Sequence, residues 1–260
     1  MNSLMSIRVP RMRPEGEQWE WPDLMVESAE EPLRRLPNLP EPRCFSAATF
    51  DARSHLWVVG GGDGMTRGAA CLDTTLILDP YAEQPVWRPF GGSPLLVKRC
   101  GLALAADCRY ETLYLCGGYS GGVNYADTVE VLDMTGRRAN RMLPAMRHAR
   151  SGCGAGFGPD GALYVVGGSQ NGSLMLGSCE RYDPREGVWR ALPELPTPRG
   201  YLSATFAPDG CLYAAGGCAD DWGSPVAAFE AFDPRADRWR TLAPLPMARS
   251  NHALVLAGCH

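Results

Sequence analysis

The stretch Leu56-Trp57-Val58-Val59-Gly60-Gly61 is a short apolar segment that ends in a glycine pair. Similar stretches follow at Leu113-Tyr114-Leu115-Cys116-Gly117-Gly118, Leu163-Tyr164-Val165-Val166-Gly167-Gly168 and Leu212-Tyr213-Ala214-Ala215-Gly216-Gly217. The steps from one glycine pair to the next are 57, 50 and 49 residues. A period of about fifty residues indicates a repeat architecture, in which each repeat packs on its neighbours. A repeat array offers a surface more readily than a single catalytic pocket.

The third repeat shows four strand-sized segments separated by turn residues. Proline presets φ and glycine accepts positive φ, so Pro159-Asp160-Gly161 predicts a tight turn. Short strands joined by such turns, four to a repeat, predict an all-β protein with one sheet per repeat. In chain order the predicted strands are Cys153–Phe157, Leu163–Val166, Cys179–Tyr182 and a fourth that begins at Val188.

Other residues recur in a fixed order around the glycine pairs. Because glutamates recur in the third strand of three repeats, we expect them to be structural, and we expect the opening arginines to have buried or half-buried partners. The opening arginines are Arg43, Arg99, Arg150, Arg199 and Arg249. The recurring glutamates are Glu130, Glu180 and Glu230, and the aspartates that close the third strand are Asp79, Asp133, Asp183 and Asp233. The fourth strand carries Trp87, Trp189 and Trp239, with Asn140 in that place in the second repeat.

This order resembles the kelch repeat over about residues 32–260: a glycine pair, then Tyr182-Asp183-Pro184, a tryptophan, Leu-Pro and an arginine. The resemblance implies an all-β, kelch-type β-propeller of four-stranded antiparallel blades. WD repeats are the main competitor, but they have shorter periods and Trp-Asp dipeptides, which this chain lacks. The predicted organisation is an N-terminal extension over residues 1–31, repeats over about 43–98, 99–149, 150–198 and 199–248, and a partial repeat over 249–260.

Both flanks of the four complete blades resemble parts of a further blade. The segment near Leu33 resembles a fourth strand, and Arg249–Leu256 resembles a first strand. Kelch rings usually close by joining such strands, yet a second and third strand are missing here. Three interpretations remain open: a piece of a longer ring, an irregular five-blade ring completed from residues 1–31 with Trp19–Val26 as a strand, or an open edge capped by a partner or a second copy. An uncapped edge invites self-association.

Composition narrows the functional classes. The net charge of −4 argues against nucleic-acid binding, which favours a basic face. No run of eighteen apolar residues predicts a membrane span, and Met1–Gln18 has no apolar core of a secretory signal. The ten cysteines form no C-x-x-C pair and the four histidines have no metal-ligand spacing, so we expect reduced thiols, a cytoplasmic protein, and neither metal nor cofactor.

The sequence offers little for catalysis. It contains no nucleophile elbow, phosphate-binding loop, zinc-protease helix or dinucleotide fingerprint. We therefore predict a protein that is not an enzyme. The alternative is a propeller enzyme acting on a sugar or small metabolite, similar to galactose oxidase or a sialic-acid epimerase. A copper oxidase site would need two histidines and two tyrosines, and His148 and His252 are the histidines near the strand connections; a surface role is the simpler interpretation for both.

The predicted function is a protein-protein interaction module of scaffold or substrate-recognition type that binds a protein or peptide partner. Strands build the frame of a propeller and loops carry function. The second-to-third loops differ between repeats: they are Gly62–Thr74, Tyr119–Asp127, Ser169–Gly177 and Cys218–Ser224. The predicted partner-binding residues are Tyr119, Asn124, Tyr125, Ser151, Ser169, Gln170, Asn171, Tyr201, Asp220, Trp222 and Ser250.

The resemblance to BTB–kelch substrate adaptors narrows this prediction. In those proteins the residues after the glycine pair and after the opening arginine hold a peptide. The positions here are Gly62, Tyr119, Ser169, Cys218, Cys44, Cys100, Ser151, Gly200 and Ser250. No second arginine stands beside the opening arginines, so an acidic-peptide pocket is not supported. The chain shows no BTB, BACK or F-box segment, which makes an adaptor role for this chain alone doubtful.

Overall fold

The structure, a computed structural model, describes residues 11–12, 19–20, 36–63, 70–107, 109, 111–121, 125–220 and 223–254. The predicted strand positions at residues 21–26, the segment near Leu33, and residues 255–256 lie outside these ranges. A two-stranded hairpin pairs β1 (Arg11–Met12) with β2 (Trp19–Glu20). The described ranges contain strands and no helix, hence no helix that could cross a bilayer.

Four antiparallel sheets of four strands follow, each in the order first, second, third, fourth. Blade 1 contains β3 (Ala47–Phe50), β4 (Leu56–Val59), β5 (Thr75–Leu78) and β6 (Arg88–Pro89). Blade 2 contains β7 (Ala103–Asp107), β8 (Thr112–Cys116), β9 (Val129–Asp133) and β10 (Arg141–Met142). Blade 3 contains β11 (Gly154–Phe157), β12 (Leu163–Val166), β13 (Cys179–Asp183) and β14 (Val188–Leu192). Blade 4 contains β15 (Ser203–Phe206), β16 (Leu212–Ala215), β17 (Phe229–Asp233) and β18 (Arg238–Thr241).

The blades form a propeller in which the first strands β3, β7, β11 and β15 contact one another in that order. The predicted all-β, four-stranded blade architecture is thereby confirmed. The hydrophobic core lies between neighbouring sheets, where for example Tyr114 of blade 2 meets Phe157 of blade 3 at a ring-centroid distance of 4.8 Å. The second strands are almost entirely buried, whereas β14 is largely exposed. This difference is expected for radial blades, because the fourth strand of each blade lies at the outer edge of the propeller.

The glycine pairs stand where one blade meets the next. Gly167 has φ +62°, and a Cβ there would lie 2.6 Å from the carbonyl oxygen of Arg199 in blade 4. Its neighbour Gly168 donates its N–H to that same oxygen at 2.9 Å. Any larger residue would therefore both strain the backbone and push the blades apart. This close approach explains why the pair recurs in every blade.

The opening arginines of blades 2, 3 and 4 are fully buried, and each faces the glutamate of its own third strand. In blade 3, Arg150 donates to the Gly167 carbonyl at 2.7 Å and to Glu180 at 2.6 Å. Glu180 also accepts the backbone N–H of Arg147 at 2.8 Å, which ties the incoming connection to the blade. The expected buried partners of these arginines are thus the recurring glutamates. The corresponding nitrogen–oxygen distances are 3.6 Å for Arg99–Glu130 and 2.5 Å for Arg199–Glu230.

Blade 1 departs from this arrangement. Leu76 pairs with Val58 at the position where Glu180 pairs with Val165 in blade 3. Arg43 consequently turns to Glu41 in the preceding connection and to the Thr74 hydroxyl at 3.1 Å. The sequence places an arginine at the start of every repeat, but only three of the four blades supply it with a carboxylate from the third strand.

The tryptophans near the fourth strands tie each blade to the connection that precedes it. Trp189 donates its indole N–H to the Pro144 carbonyl at 2.8 Å, and Trp87 and Trp239 do the same with Pro37 and Pro193. In blade 2 the amide of Asn140 donates to the Pro94 carbonyl at 3.0 Å and so preserves the bond without an aromatic ring.

The segment after blade 4 lies where a next first strand would lie. The carbonyl of Arg249 accepts the N–H of Gly217 at 2.8 Å, as Arg199 does for blade 3, and Leu254 donates its N–H to the Ser203 hydroxyl at 2.9 Å. Residues 251–254 form no regular ladder in the structure. The inter-blade contact of the repeats is therefore continued by the residues that follow blade 4.

Candidate functional site

The antiparallel order of each blade separates its connections onto two faces. The first-to-second and third-to-fourth turns lie on one face, which we name the turn face. The second-to-third loops and the fourth-to-first connections lie on the opposite face, which we name the loop face. The loop face carries those of the predicted partner-binding residues that the structure describes.

Isolated bridges in every blade bring together the positions that the kelch resemblance pointed to. In each blade the residue after the opening arginine pairs with the residue after the glycine pair, which in turn pairs with a residue of the loop beyond it. The loop face therefore has one common backbone frame with different side chains in each blade. The sets are Cys44, Gly62 and Cys71; Cys100, Tyr119 and Tyr125; Ser151, Ser169 and Met175; Gly200, Cys218 and Pro225.

Three predicted tyrosines gather over blades 2 to 4. The rings of Tyr119 and Tyr125 have centroids 5.6 Å apart. The ring of Tyr201 covers Gly152, where a Cβ would lie 2.7 Å from the ring. Burial raises the pKa of Tyr201, and the neighbouring Tyr125 adds to that rise, so its phenol stays protonated at neutral pH. The result is a half-buried aromatic surface that has polar hydroxyl groups.

A chain of backbone hydrogen bonds runs from blade to blade beside this surface. Gly101 donates to Phe45, Gly152 to Gly101, Tyr201 to Gly152 and Asn251 to Tyr201, over distances of 2.6–3.0 Å. All five residues have positive φ between 51° and 64°. Glycine accepts this conformation freely, whereas bulky side chains adopt it rarely. Phe45 and Tyr201 therefore hold strained positions, a feature that concentrates at functional sites.

Ser151 and Ser169 belong to the frame of the loop face rather than to its accessible surface. Both are buried. The Ser151 hydroxyl donates to the Gly101 carbonyl at 3.3 Å, and the Ser169 hydroxyl accepts the N–H of Gly172 at 2.9 Å. They support the loops from below and offer no exposed side chain to a partner.

The remaining predicted residues lie on the loops themselves. Asn171 is exposed, and its side-chain oxygen accepts the N–H of Leu174 at 2.8 Å; Gln170 beside it is half-buried. Asp220 accepts the N–H of Ser224 at 2.9 Å, and Ser250 is half-buried beside Asn251. These side chains shape their loops by local hydrogen bonds. Asn124 and Trp222 lie outside the described residues.

Exposed apolar side chains join this face without having been predicted from the sequence. Phe45 follows an opening arginine by two residues and is 41% exposed, and Leu174 is 53% exposed at the tip of a loop. Leu96 and Met247 are exposed on the connections that lead into blade 2 and beyond blade 4. The sequence does mark Phe45 as unusual, because a large aromatic residue stands there where two other repeats have glycine.

A groove of about 620 Å³ lies on the turn face between blades 1 and 2. Its lining mixes charges of both signs, and Arg53 bridges the blades to Glu111 at 3.1 Å. Burial acts to raise the pKa of Asp51 in this groove, but hydrogen bonds from Trp57 and His55 hold it below its ordinary value. Part of the polar lining of this groove is thus engaged in ion pairs and hydrogen bonds within the chain.

The two histidines considered for a copper oxidase site occupy separate surroundings. His148 is 44% exposed with Nδ1 3.6 Å from Glu180, while burial and the neighbouring Arg249 lower the pKa of His252. Within the residues that the structure describes, no three histidine, cysteine or acidic side chains are arranged to hold a metal ion.

Comparison with known families gives an independent identification. The Kelch motif model matches residues 149–196 and 199–246, which contain the strands of blades 3 and 4. No curated protein matches the chain. The two matched repeats and the propeller of four described blades are together consistent with a kelch-repeat propeller protein.

Proposed function

We propose that this chain is a non-catalytic protein-interaction module, of scaffold or substrate-recognition type, that binds a protein or peptide partner on its loop face. Kelch propellers are generally interaction modules and mostly non-enzymatic. The observation that carries the proposal is the grouping of Tyr119, Tyr125 and Tyr201 on the loop face. Tyrosine supplies a large rigid contact area and a hydrogen-bonding tip, and it is enriched where interfaces gain most of their free energy.

The positions of the arginine side chains indicate how strongly charged a partner of the loop face should be. The guanidinium groups of Arg99, Arg150 and Arg199 are buried and directed to glutamates and backbone carbonyls. These guanidinium groups therefore bond within the fold and do not face a partner. An extended segment with aromatic or aliphatic side chains and few charges suits the tyrosines and the exposed Phe45. Such a segment can also hydrogen-bond to the tyrosine hydroxyls.

We also propose the domain bounds, the cellular compartment and the class of partner of this protein. Residues 32–260 form the propeller with the repeat boundaries given above, and residues 1–31 form an extension. Eight cysteines in the described part of the chain are present as thiols, which suits a cytoplasmic protein. Its partner is a protein rather than nucleic acid or a membrane, and self-association through a blade edge is a second mode of assembly.

The test is capture of partners from lysate with the full chain and two matched double variants. Tyr119→Ala/Tyr125→Ala alters the loop face, and Arg53→Ala/Arg137→Ala alters the turn face. We expect the tyrosine variant to lose at least about tenfold of a specifically retained partner, since interface tyrosines contribute more than 1 kcal/mol each when they are central. The arginine variant should retain the same partner.

Thermal unfolding of all three proteins provides the control for folding. The proposal requires that the two variants melt within a few degrees of the wild type. Identical partner sets for the wild type and the tyrosine variant, or loss of the partner only in the arginine variant, would contradict the loop face as the binding surface. Retention of no protein above empty beads would contradict the function itself.

A further inference from the structure

We propose that Cys71 and Cys100 form a redox-sensitive thiol pair that a hydroperoxide converts into a disulfide joining blade 1 to blade 2. Their sulfur atoms lie 3.3 Å apart. Cys71 belongs to the loop after the glycine pair of blade 1, and Cys100 follows the opening arginine of blade 2. The two thiols therefore sit on neighbouring blades at the loop face.

The repeat itself explains why these two positions meet. Cys71 occupies the bridge position that Met175 holds in blade 3, and Cys100 occupies the position that Gly200 holds in blade 4. A Cβ on Gly200 would lie 2.9 Å from the Met175 sulfur. This pair of positions thus brings side chains of adjacent blades into direct contact in the propeller. Two cysteines placed there come within reach of a disulfide, which needs a sulfur–sulfur distance of about 2.05 Å.

The backbone around the pair is held in place from both sides. Cys100 exchanges two backbone hydrogen bonds with Tyr119, at 2.9 and 2.8 Å. The Cys71 sulfur lies 3.1 Å from the same Tyr119 carbonyl. Forming a disulfide requires the sulfur–sulfur distance to shorten by about 1.2 Å. A disulfide would lie next to the Tyr119 backbone.

The oxidation balances with a hydroperoxide as the oxidant. The thiolate sulfur of the half-buried Cys100 attacks one oxygen of hydrogen peroxide, the O–O bond breaks, and a sulfenic acid and hydroxide form. The hydroxide takes up the proton that the Cys100 thiol released and becomes water. The Cys71 thiolate then attacks the sulfenic sulfur, the S–S bond forms, and the oxygen leaves as a second water after protonation. Two thiols lose two electrons and two protons, and one peroxide is reduced.

The pair is expected to react slowly at neutral pH. Burial raises the pKa of Cys100 to about 12, with Cys71 and Cys44 adding to the rise. Only a small fraction of Cys100 is then thiolate, and the thiolate is the form that attacks. The pair therefore stays reduced during brief exposure to the oxidant and is oxidised only during long exposure. Its oxidation should become faster in mildly alkaline buffer, because more of the thiol is then thiolate.

Peptide mapping by mass spectrometry tests the proposal on the full chain. The protein is treated with hydrogen peroxide, remaining thiols are alkylated, and cross-linked peptides are identified. Formation of the sulfoxide of Met247, which is 66% exposed, reports that the oxidant reached the protein. We expect a Cys71–Cys100 cross-link that a dithiol reductant reverses. This readout needs no partner, so it is independent of the proposed function.

Single variants identify the two sulfurs. The cross-link should be absent from Cys71→Ser and Cys100→Ser and should persist in Cys44→Ser, which removes the third thiol near the pair. A cross-link that uses Cys44 instead would overturn the assignment. So would intact Cys71 and Cys100 thiols in wild-type protein whose Met247 is fully oxidised, and this last result does not depend on any variant folding.

Discussion

The turn face and the loop face are built from the same strands, yet they use their side chains differently. On the turn face an aspartate in the first-to-second turn accepts a hydrogen bond from the aromatic residue of the second strand in three blades. On the loop face the residue after the glycine pair differs in every blade. The turn-face bonds are Trp57 to Asp51 at 3.0 Å, Tyr164 to Asp160 at 3.0 Å and Tyr213 to Asp209 at 2.8 Å. The loop-face residues are Gly62, Tyr119, Ser169 and Cys218.

This difference separates structural repetition from functional variation within one chain. A bond repeated from blade to blade solves the same folding problem each time, because each aspartate anchors its turn to the second strand of the same blade. Side chains that vary on a constant backbone frame are free to suit a partner. Substitutions on the turn face should therefore lower stability, and substitutions on the loop face should lower binding.

The largest loss of unfolding free energy is expected when a buried ion pair in the frame beneath both faces is broken. Glu180→Leu leaves the buried Arg150 guanidinium without its carboxylate, although its bonds to backbone carbonyls remain. Removing one partner of a buried ion pair costs about 3–5 kcal/mol of unfolding free energy. Denaturant unfolding should show this loss for the single variant.

The matched control is Arg150→Met/Glu180→Leu, which replaces both charges with apolar groups. Such a replacement is close to neutral in other buried pairs, and blade 1 already carries Leu76 at the glutamate position. A Glu180→Leu protein as stable as the wild type would show that the ion pair is not needed for the frame.

A smaller loss is expected from the turn face. Asp160→Ala removes the acceptor of the Tyr164 hydroxyl and the ion-pair partner of Arg181 at 2.7 Å. Asp160 is 34% exposed, so water replaces part of what is lost, and we expect a cost of about 1–2 kcal/mol. Thermal unfolding should show this cost, while capture of the partner stays unchanged. Loss of binding without loss of stability would reverse the roles of the two faces.

The same aspartate should make stability depend on pH. Burial acts to raise the pKa of Asp160, but hydrogen bonds from Arg181, the Ala162 N–H and Tyr164 lower it below its ordinary value. A lowered pKa in the folded state stabilises the protein above the unfolded-state pKa of about 3.9, and this contribution is lost as the pH falls through the folded-state value. Melting temperatures of wild type and Asp160→Asn should therefore converge on acidification below about pH 4. Parallel curves would contradict this linkage.

The smallest effect on stability is expected at the strained loop-face position. Tyr201 has φ +54°, and Asn251 holds the equivalent position with φ +51°. Asparagine tolerates this conformation better than tyrosine, which offsets part of the packing lost over Gly152. Tyr201→Asn should change the unfolding free energy by less than about 1 kcal/mol and weaken partner binding about tenfold. A large loss of stability with unchanged binding would assign Tyr201 to the frame.

The sequence predicted the blades well because strand, glycine and turn signals are local. The prediction that recurring glutamates are structural also holds, since a repeat solves one packing problem several times. The sequence already places Leu76 three residues before Asp79, where the other repeats have a glutamate. It could not show that Arg43 then bonds to the Thr74 hydroxyl, or that Asn140 keeps the tryptophan bond, because both depend on contacts between distant segments. Nor could it show that Ser151 and Ser169 are buried under the loops, since exposure depends on how blades meet.

Hydroxyl-radical footprinting of the captured complex tests the central claim most directly. Phe45 and Leu174 are exposed on the loop face, and Phe50 and Tyr81, which are 49% and 76% exposed, are internal controls on the turn face. We expect the partner to protect Phe45, Leu174, Tyr119 and Tyr125 from labelling and to leave Phe50 and Tyr81 unchanged. Protection of Phe50 and Tyr81, with unchanged labelling of the loop-face residues, would contradict binding on the loop face.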